Sequence, residues 1–189
     1  MNAQGWLDDV QALFRQYKRM GERAAAQVSD EDFFSALGRG DNSIAVLVKH
    51  LAGNHRSRWR DFLTTDGEKR DRDRDGEFTA EGETRASIEA RWEEGWGIAS
   101  ASLAALAPAD LERTITIRGE PYTVMRAILR NLNHAAYHTG QIVQLARHFA
   151  GDAWRTLSIA PGKSEEFNAA MRERHGDWWA AEGAVERNP

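Results

Sequence analysis

The sequence predicts an all-α protein, a four-helix bundle with short extra helices. Four long stretches place apolar residues three and four positions apart, which is the spacing of amphipathic helices, and strand signals are nearly absent. Of the 189 residues, 41% are hydrophobic and 29% are charged, with both signs mixed. A chain of this length and composition can form its own hydrophobic core, and long amphipathic helices with few strands are typical of a bundle.

The first two long helices have clear starts. The first is expected over residues 6–28, where apolar side chains follow the helical spacing. A short helix follows Ser29, whose position three residues before Asp32 resembles a capping box. The second long helix covers about residues 41–63 and opens on Asp-Asn-Ser, a cluster of good N-cap residues.

The third and fourth long helices have clear ends. The third covers about residues 84–107 and stops ahead of Pro108. The fourth starts near Thr123 and extends to Ala150, where Gly151 supplies the glycine that commonly terminates a helix. These signals complete the set of four long helical segments.

The segments outside the long helices bear on the topology. A polar, highly charged loop over residues 64–82 joins the second and third helices, and its length favours a crossover over a tight antiparallel turn. Residues 113–123 alternate isoleucine and threonine around Arg-Gly-Glu, which predicts a small hairpin or an extended connector. We expect one domain over residues 1–189, in which residues 152–189 form a tail packed on or beside the bundle.

The composition argues against several classes of protein. The net charge is −4, so the chain lacks the basic surplus of a nucleic-acid-binding protein. It contains no cysteine, which excludes a disulfide and a nucleophilic protein thiol, so any thiol chemistry needs a thiol on the substrate. The first residues lack the pattern of a secretory signal and no run is long enough to span a membrane, so we expect a cytoplasmic protein.

A pair of histidines in the fourth helix is the main chemical signal. His134 and His138 are four residues apart, so their side chains share one face of the helix and can reach one metal ion. Asn131 and Gln141 flank them at the edge of the apolar stripe, and a polar column beside the core needs partners. The alternative is a pair of partly buried histidines that hydrogen bond to side chains or water.

A metal ion needs a third ligand, and the sequence pattern leaves its identity open. The second helix offers His50, at the flank of its apolar stripe, and His55, near the middle of that stripe. His148 lies well down the fourth helix, and His175 lies in the tail. Spacing alone does not choose between His50 and His55.

Four phrases of the sequence resemble one family. The chain contains, in this order, LVKHLAGNHRSRWRDFLTTDGEK, RDRDGEF, LNHAAYHTGQIVQLAR and TLSIAPGKSEEFN. Together they resemble an uncharacterised branch of the DinB-like superfamily, and the resemblance covers most of the chain. It implies a four-helix bundle with an up-down-down-up connection and, as in many relatives, a homodimer.

The resemblance also implies a metal site and a type of reaction. It places one nickel or zinc ion on His50, at the head of the HLAGN phrase, and on the histidine pair His134 and His138. His55 stands where the family has an apolar or neutral residue, so it is a departure and a rival ligand. Better-known relatives include metal-dependent transferases that act on low-molecular-weight thiols, which implies a metal-dependent thiol transferase here.

Four polar residues are candidates for a supporting role around this site. Asn54, Asn131 and Gln141 could orient the ligand imidazoles or the substrate. Asn54 and Arg58 lie four positions apart on the second helix, where they could face the pocket or bind a neighbouring backbone.

The loop phrase RDRDGEF has two interpretations. Arg74, Asp75 and Glu77 could reach across the mouth of the site as a substrate clamp. They could equally form a solvated run of charges whose salt bridges contribute little to stability.

The function likewise has an alternative. Instead of an enzyme, the protein could be a non-catalytic metal-binding protein or a stress-response interaction module in which the metal is vestigial. An enzyme needs an open coordination position that a thiol can occupy, whereas a structural metal site is closed and indifferent to thiols.

Overall fold

Helices account for most of the secondary structure. The computed structural model describes residues 2–176 and is mostly helical, with one small two-stranded sheet, as the all-α prediction requires. Its helices and strands are α1 (Ala3–Ala25), α2 (Asp30–Phe34), α3 (Ile44–Trp59), α4 (Arg85–Ala104), β1 (Thr114–Ile117), β2 (Glu120–Thr123), α5 (Val124–Ala150) and α6 (Ser164–His175). Within this described part, no helix combines the length and the apolar character needed to cross a membrane.

The chain divides into two units. The first, Met1–Trp154, holds α1 to α5 and both strands, and the second, Arg155–Pro189, holds α6. Residues 177–189, which belong to the predicted tail, lie outside the described residues.

Four helices begin at the positions that the sequence indicates, whereas α1 begins at Ala3, ahead of the expected start at residue 6. In each of the four, an N-cap hydroxyl accepts a hydrogen bond from a backbone N–H in the first turn, which satisfies a donor that the helix itself leaves unpaired. The four N-cap residues are Ser29, Ser43, Thr84 and Thr123. Local side-chain chemistry therefore fixes where α2, α3, α4 and α5 begin.

α1, α3 and α4 end earlier than the apolar pattern suggests, and for α1 and α3 side chains from α4 bind carbonyl groups at the helix end. The guanidinium of Arg85 donates hydrogen bonds to the carbonyl oxygens of Ala25, at 2.8 Å, and Val28, at 3.1 Å, where α1 ends. The hydroxyl of Ser102 donates to the carbonyl oxygen of Trp59, at 2.9 Å, where α3 ends. These bonds replace the helical partners that a longer helix would have supplied.

α3 is the most deeply buried long helix. It packs against both α4 and α5, while α1 packs against α5 and α4. A Cβ added to Gly95 of α4 would lie 2.5 Å from the carbonyl oxygen of Ala52 of α3, so the two backbones are in close contact there. The bond from Ser102 to Trp59 lies further along both helices, so α3 and α4 run in the same direction. A long connection between them is therefore required.

Aromatic side chains fill the centre of the first unit. The ring of Phe14 from α1 meets Trp59 and Trp96 edge to face, with ring centroids 5.7 and 6.1 Å apart. Trp92 and Trp96 contact each other and are almost completely buried. The described structure therefore places these two tryptophans in the core.

The segment before α5 forms a hairpin. β1 and β2 pair antiparallel, and Arg118 and Gly119 between them have positive φ angles of 56° and 77°, as a tight two-residue turn requires. The carboxylate of Asp66 accepts hydrogen bonds from both turn N–H groups, at 2.8 and 2.9 Å. Burial alone would raise the pKa of Asp66, but its backbone hydrogen bonds hold that pKa below its usual value. The hairpin thereby anchors the long loop between α3 and α4.

Candidate metal centre

α3 and α5 bring three histidines together. His134 and His138 lie on the face of α5 that meets His50 of α3, and one nitrogen of each ring lies within 4.8 Å of the others. The Nε2 atoms of His50 and His134 are 3.1 Å apart, and the three ring centroids are separated by 4.6 to 5.1 Å. These three side chains are close enough together to hold one metal ion.

A carboxylate from the long loop fixes the orientation of His50. The Nδ1 atom of His50 donates a hydrogen bond to Oε2 of Glu77, at 2.9 Å, and both residues are buried. An ionised carboxylate only accepts hydrogen bonds, so Nδ1 of His50 carries a proton. When the ring carries that one proton, the lone pair on Nε2 is left for a metal ion, as in the carboxylate–histidine pairs of known metal sites.

Glu77 is held as a charged group by an arginine. Nε and Nη2 of Arg72 donate to its two carboxylate oxygens, at 2.7 and 2.8 Å. Burial alone would raise the pKa of Glu77, but hydrogen bonds from His50 and Arg72 and the positive charge of Arg72 lower it below the usual range. The carboxylate is therefore ionised at neutral pH and accepts from His50.

A glycine in α3 makes room for this carboxylate. A Cβ added to Gly53 would lie 2.3 Å from Oε1 of Glu77 and 2.7 Å from its carboxylate carbon. No real Cβ contact is that short, so any larger residue at position 53 would displace Glu77 from its place beside His50. The glycine of the HLAGN phrase is thus a spatial requirement of the site.

His138 is oriented by its own helix. Its Nδ1 atom donates a hydrogen bond to Oε1 of Gln141, one turn further along α5, at 2.7 Å. This bond places the proton on Nδ1 and leaves Nε2 as the donor atom for a metal. Burial lowers the pKa of His138 below its usual value even though the bond to Gln141 acts in the opposite direction.

His134 completes a set of donors that fits a metal ion. Burial, reinforced by the neighbouring His138 and His50, lowers its pKa to about 3, so the ring is neutral at physiological pH. Its Nδ1 atom is buried without a hydrogen-bond partner among the described residues. The 3.1 Å between the Nε2 atoms of His50 and His134 is close to the roughly 3.3 Å expected between two ligands of a tetrahedral zinc ion.

His55, the rival third ligand, lies on another side of α3. It has no exposed surface, and its ring packs edge-on against Trp96 and tilted against Phe14, with centroid distances of 4.3 and 6.1 Å. Burial, with a smaller contribution from His50, lowers its pKa to about 3. His55 is therefore a neutral core residue outside the cluster of three histidines.

Asn54 and Asn131 bridge α3 and α5. Nδ2 of Asn131 donates to Oδ1 of Asn54, and Nε1 of Trp59 donates to Oδ1 of Asn131, both at 2.8 Å. All three residues are buried, so these bonds satisfy polar groups that would be costly to leave unpaired. This bridge lies beside the histidine cluster and links the two helices that carry it.

Arg58 binds the long loop. Its Nη1 atom donates to the carbonyl oxygen of Gly67 and to Oε2 of Glu68, the latter at 2.6 Å. Glu68 also accepts a bond from Arg72, at 3.2 Å, and Arg72 in turn holds Glu77. A continuous series of ion pairs therefore runs from Arg58 to the residue that orients His50.

The residues of the loop phrase RDRDGEF differ in their exposure to solvent. Glu77 is 5% exposed, whereas the side chain of Asp75 is fully exposed and that of Arg74 is 49% exposed. Phe78 returns to the protein and places its ring centroid 4.7 Å from that of His50. The sequence does not predict that Glu77 is the partner of His50. Its signal for a buried position in this loop is Phe78, an aromatic residue at the end of the charged run.

The fold and the site define a mostly helical protein with three neighbouring histidines that could hold a metal ion. The family model described as "Protein of unknown function (DUF1572)" matches residues 1–163, and the chain belongs to this family. No curated protein and no solved structure matches the chain.

Proposed function

We propose that the protein binds one divalent transition metal ion through His50, His134 and His138 and is a metal-dependent transferase that uses a low-molecular-weight thiol. The observation that carries the proposal is the pair of bonds from Nδ1 of His50 to Glu77 and from Nδ1 of His138 to Gln141. Each bond leaves an Nε2 lone pair available within the cluster. Histidines that only pack in a core have no need for several ring nitrogens with free lone pairs to lie close together.

The proposal extends to the architecture and the assembly. We assign the first unit to a DinB-like bundle with an up-down-down-up connection. The parallel contact of α3 with α4 and the long connection between them support this assignment. We further propose a homodimer on the strength of the resemblance, and light scattering during size-exclusion chromatography tests it, since a mass near one chain would contradict it.

A metal ion held by these three histidines would have coordination positions to spare and would supply a site at which a thiol could bind as thiolate. The protein's own residues prepare the site for this chemistry. Low pKa values keep His134 and His138 neutral at physiological pH, and Glu77 and Gln141 keep two rings from rotating. Phe78 covers one face of His50 and limits the approach of water from that side.

Nickel and zinc are the proposed metals. Imidazole ligands suit both ions, and the histidine set contains no sulfur that would favour a softer metal. Because the chain has no cysteine, the nucleophilic thiol must come from a cofactor or substrate.

The first experiment is elemental analysis of protein purified without a histidine tag. We expect about one equivalent of nickel or zinc per chain in the native protein and little in the variants His50→Ala and His134→Ala. His148→Ala is the matched control, because His148 is exposed on the same helix as His134. Absence of metal, with none taken up from added nickel or zinc, contradicts the proposal, as does a full equivalent in His134→Ala.

A second experiment separates an enzyme from a closed metal site. Cobalt(II) is substituted for the native metal, and the absorption spectrum is followed while a low-molecular-weight thiol is added. We expect a new thiolate-to-metal absorption band, because a ligand can enter an open position. A spectrum indifferent to thiols would instead support a non-catalytic metal-binding protein or interaction module.

A further inference from the structure

A cavity of about 550 Å³ lies beside the histidine cluster. Its lining comes from residues 37–47, which include the start of α3, and from residues 137–145 of α5. The same two helices carry the three histidines. The cavity is therefore built by the elements that form the candidate metal centre.

Two residues connect the cavity to the cluster, through His138. Tyr137 lines the cavity, and its ring centroid lies 4.8 Å from that of His138. Gln141 also lines it and accepts the hydrogen bond from His138. Leu47 lines it one helical turn before His50. Tyr137 and Gln141 both contact His138, so a group bound in this cavity lies next to the side chains that surround one of the proposed ligands.

The lining is more apolar than polar and contains one charged residue. Leu37, Leu47, Leu145 and Tyr137 supply apolar surface, and amide side chains supply most of the polar atoms. Asp41 is the only charged residue of the lining, and no lysine, arginine or histidine contributes to it. Two of the apolar side chains remain open to solvent, since Leu37 is 51% and Tyr137 is 64% exposed.

From this lining we infer that the cavity selects substrates whose metal-binding thiol carries an uncharged, apolar substituent. The inference rests on the proposed function, because it names the class of molecule that the metal site accepts. An apolar substituent binds more tightly, because it covers the leucines and Tyr137 and removes their apolar surface from water. A carboxylate in the same place would lose water without meeting a cation and would be repelled by Asp41.

The test compares two thiols that differ by one charge. Benzyl mercaptan and 4-(mercaptomethyl)benzoate are titrated separately into the cobalt-substituted protein, and the thiolate absorption band gives both affinities. We expect the neutral thiol to bind at least about tenfold more tightly, because the added carboxylate loses water without meeting a cation and lies near Asp41. The metal content of each sample is measured before the titration.

Two substitutions connect this selectivity to the cavity. Leu37→Arg places a cation in the lining and is expected to raise the affinity for the carboxylate thiol by about tenfold or more. Leu129→Arg is the matched control, because Leu129 is an exposed leucine outside the lining and should leave both affinities unchanged. Tyr137→Ala should weaken binding of benzyl mercaptan by about tenfold, with the metal content unchanged.

The outcomes distinguish this inference from the proposed function. A protein that takes up no metal overturns both. A metal-loaded protein that binds the two thiols equally, or in which Leu37→Arg changes nothing, overturns the selectivity and leaves the metal site standing. Preference for the neutral thiol together with the Leu37→Arg effect supports the inference.

Discussion

Glu77 and His50 are paired inside the protein, with Oε2 of the carboxylate 2.9 Å from Nδ1 of the ring and no more than 5% of either residue exposed. The two residues are 27 positions apart and belong to different types of structure, a loop and a helix. The loop is thus part of the candidate site, since it supplies the group that sets the tautomer and rotation of His50.

The first prediction concerns Glu77. Glu77→Gln removes the negative charge that His50 faces, and we expect metal affinity to fall by about 10- to 100-fold, as is typical when the partner of a metal-binding histidine is changed. Competition with a chromophoric chelator measures the affinity. Asp75→Asn is the control, because that side chain is fully exposed. Equal affinity of Glu77→Gln and the native protein would show that Glu77 does not support the ligand.

The second prediction concerns the space beside Glu77. Gly53→Ala would place a Cβ 2.3 Å from Oε1 of Glu77, so the carboxylate must move and His50 loses its partner. We expect metal affinity to fall by about tenfold or more while helix content, measured by circular dichroism, is unchanged. Gly97→Ala is the matched control, since a Cβ there meets no atom within 4 Å. A normal affinity in Gly53→Ala would rule out the proposed crowding.

The third prediction concerns the contact of α3 with α4. Gly95→Ala would bring a Cβ within 2.5 Å of the carbonyl oxygen of Ala52 and force the helices apart, so we expect a loss of about 1–3 kcal/mol in the free energy of unfolding. Gly97→Ala, on the open side of the same helix, should instead stabilise the protein by about 0.5–1 kcal/mol. Urea unfolding of the metal-free proteins measures both effects, and a Gly95→Ala variant as stable as the native chain would contradict close packing there.

The fourth prediction concerns pH and His55. Burial lowers the pKa of His55 from 6.5 to about 3, so between these values the unfolded chain binds a proton that the folded protein does not. The contribution of His55 to the free energy of unfolding is therefore fully retained above pH 6.5 and falls as the pH decreases toward 3. Replacing His55 with leucine should reduce this slope by about 1.4 kcal/mol per pH unit in metal-free protein. Identical slopes in the two proteins would mean that His55 is not kept neutral by folding.

The starts of α3, α4 and α5 can be predicted from this sequence, because capping depends on residues only three positions apart, whereas α1 begins ahead of its expected start at residue 6. Ser43, Thr84 and Thr123 each lie at the start of a helix and each accepts a first-turn N–H. Helix ends depend instead on distant residues. α1 ends where Arg85 of another helix binds its carbonyl groups, and no local pattern contains that information.

The histidine pair of α5 can also be predicted, but the third member of the cluster cannot be chosen from the apolar pattern. The pattern assumes one apolar face, whereas α3 is buried on nearly every side because it packs against both α4 and α5. His50 and His55 are consequently both buried, and only the positions of the neighbouring helices separate them. His50 meets His134 of α5, while His55 meets Phe14 and Trp96.

The sequence separation of the three histidines has a consequence for biosynthesis. His50 and His134 are 84 residues apart, and Glu77 lies between them in the chain. A nascent chain therefore presents His50 and its carboxylate well before either histidine of α5 has been synthesised. The cluster can assemble only after α5 has emerged and docked, so metal uptake would mark the completion of this unit's folding.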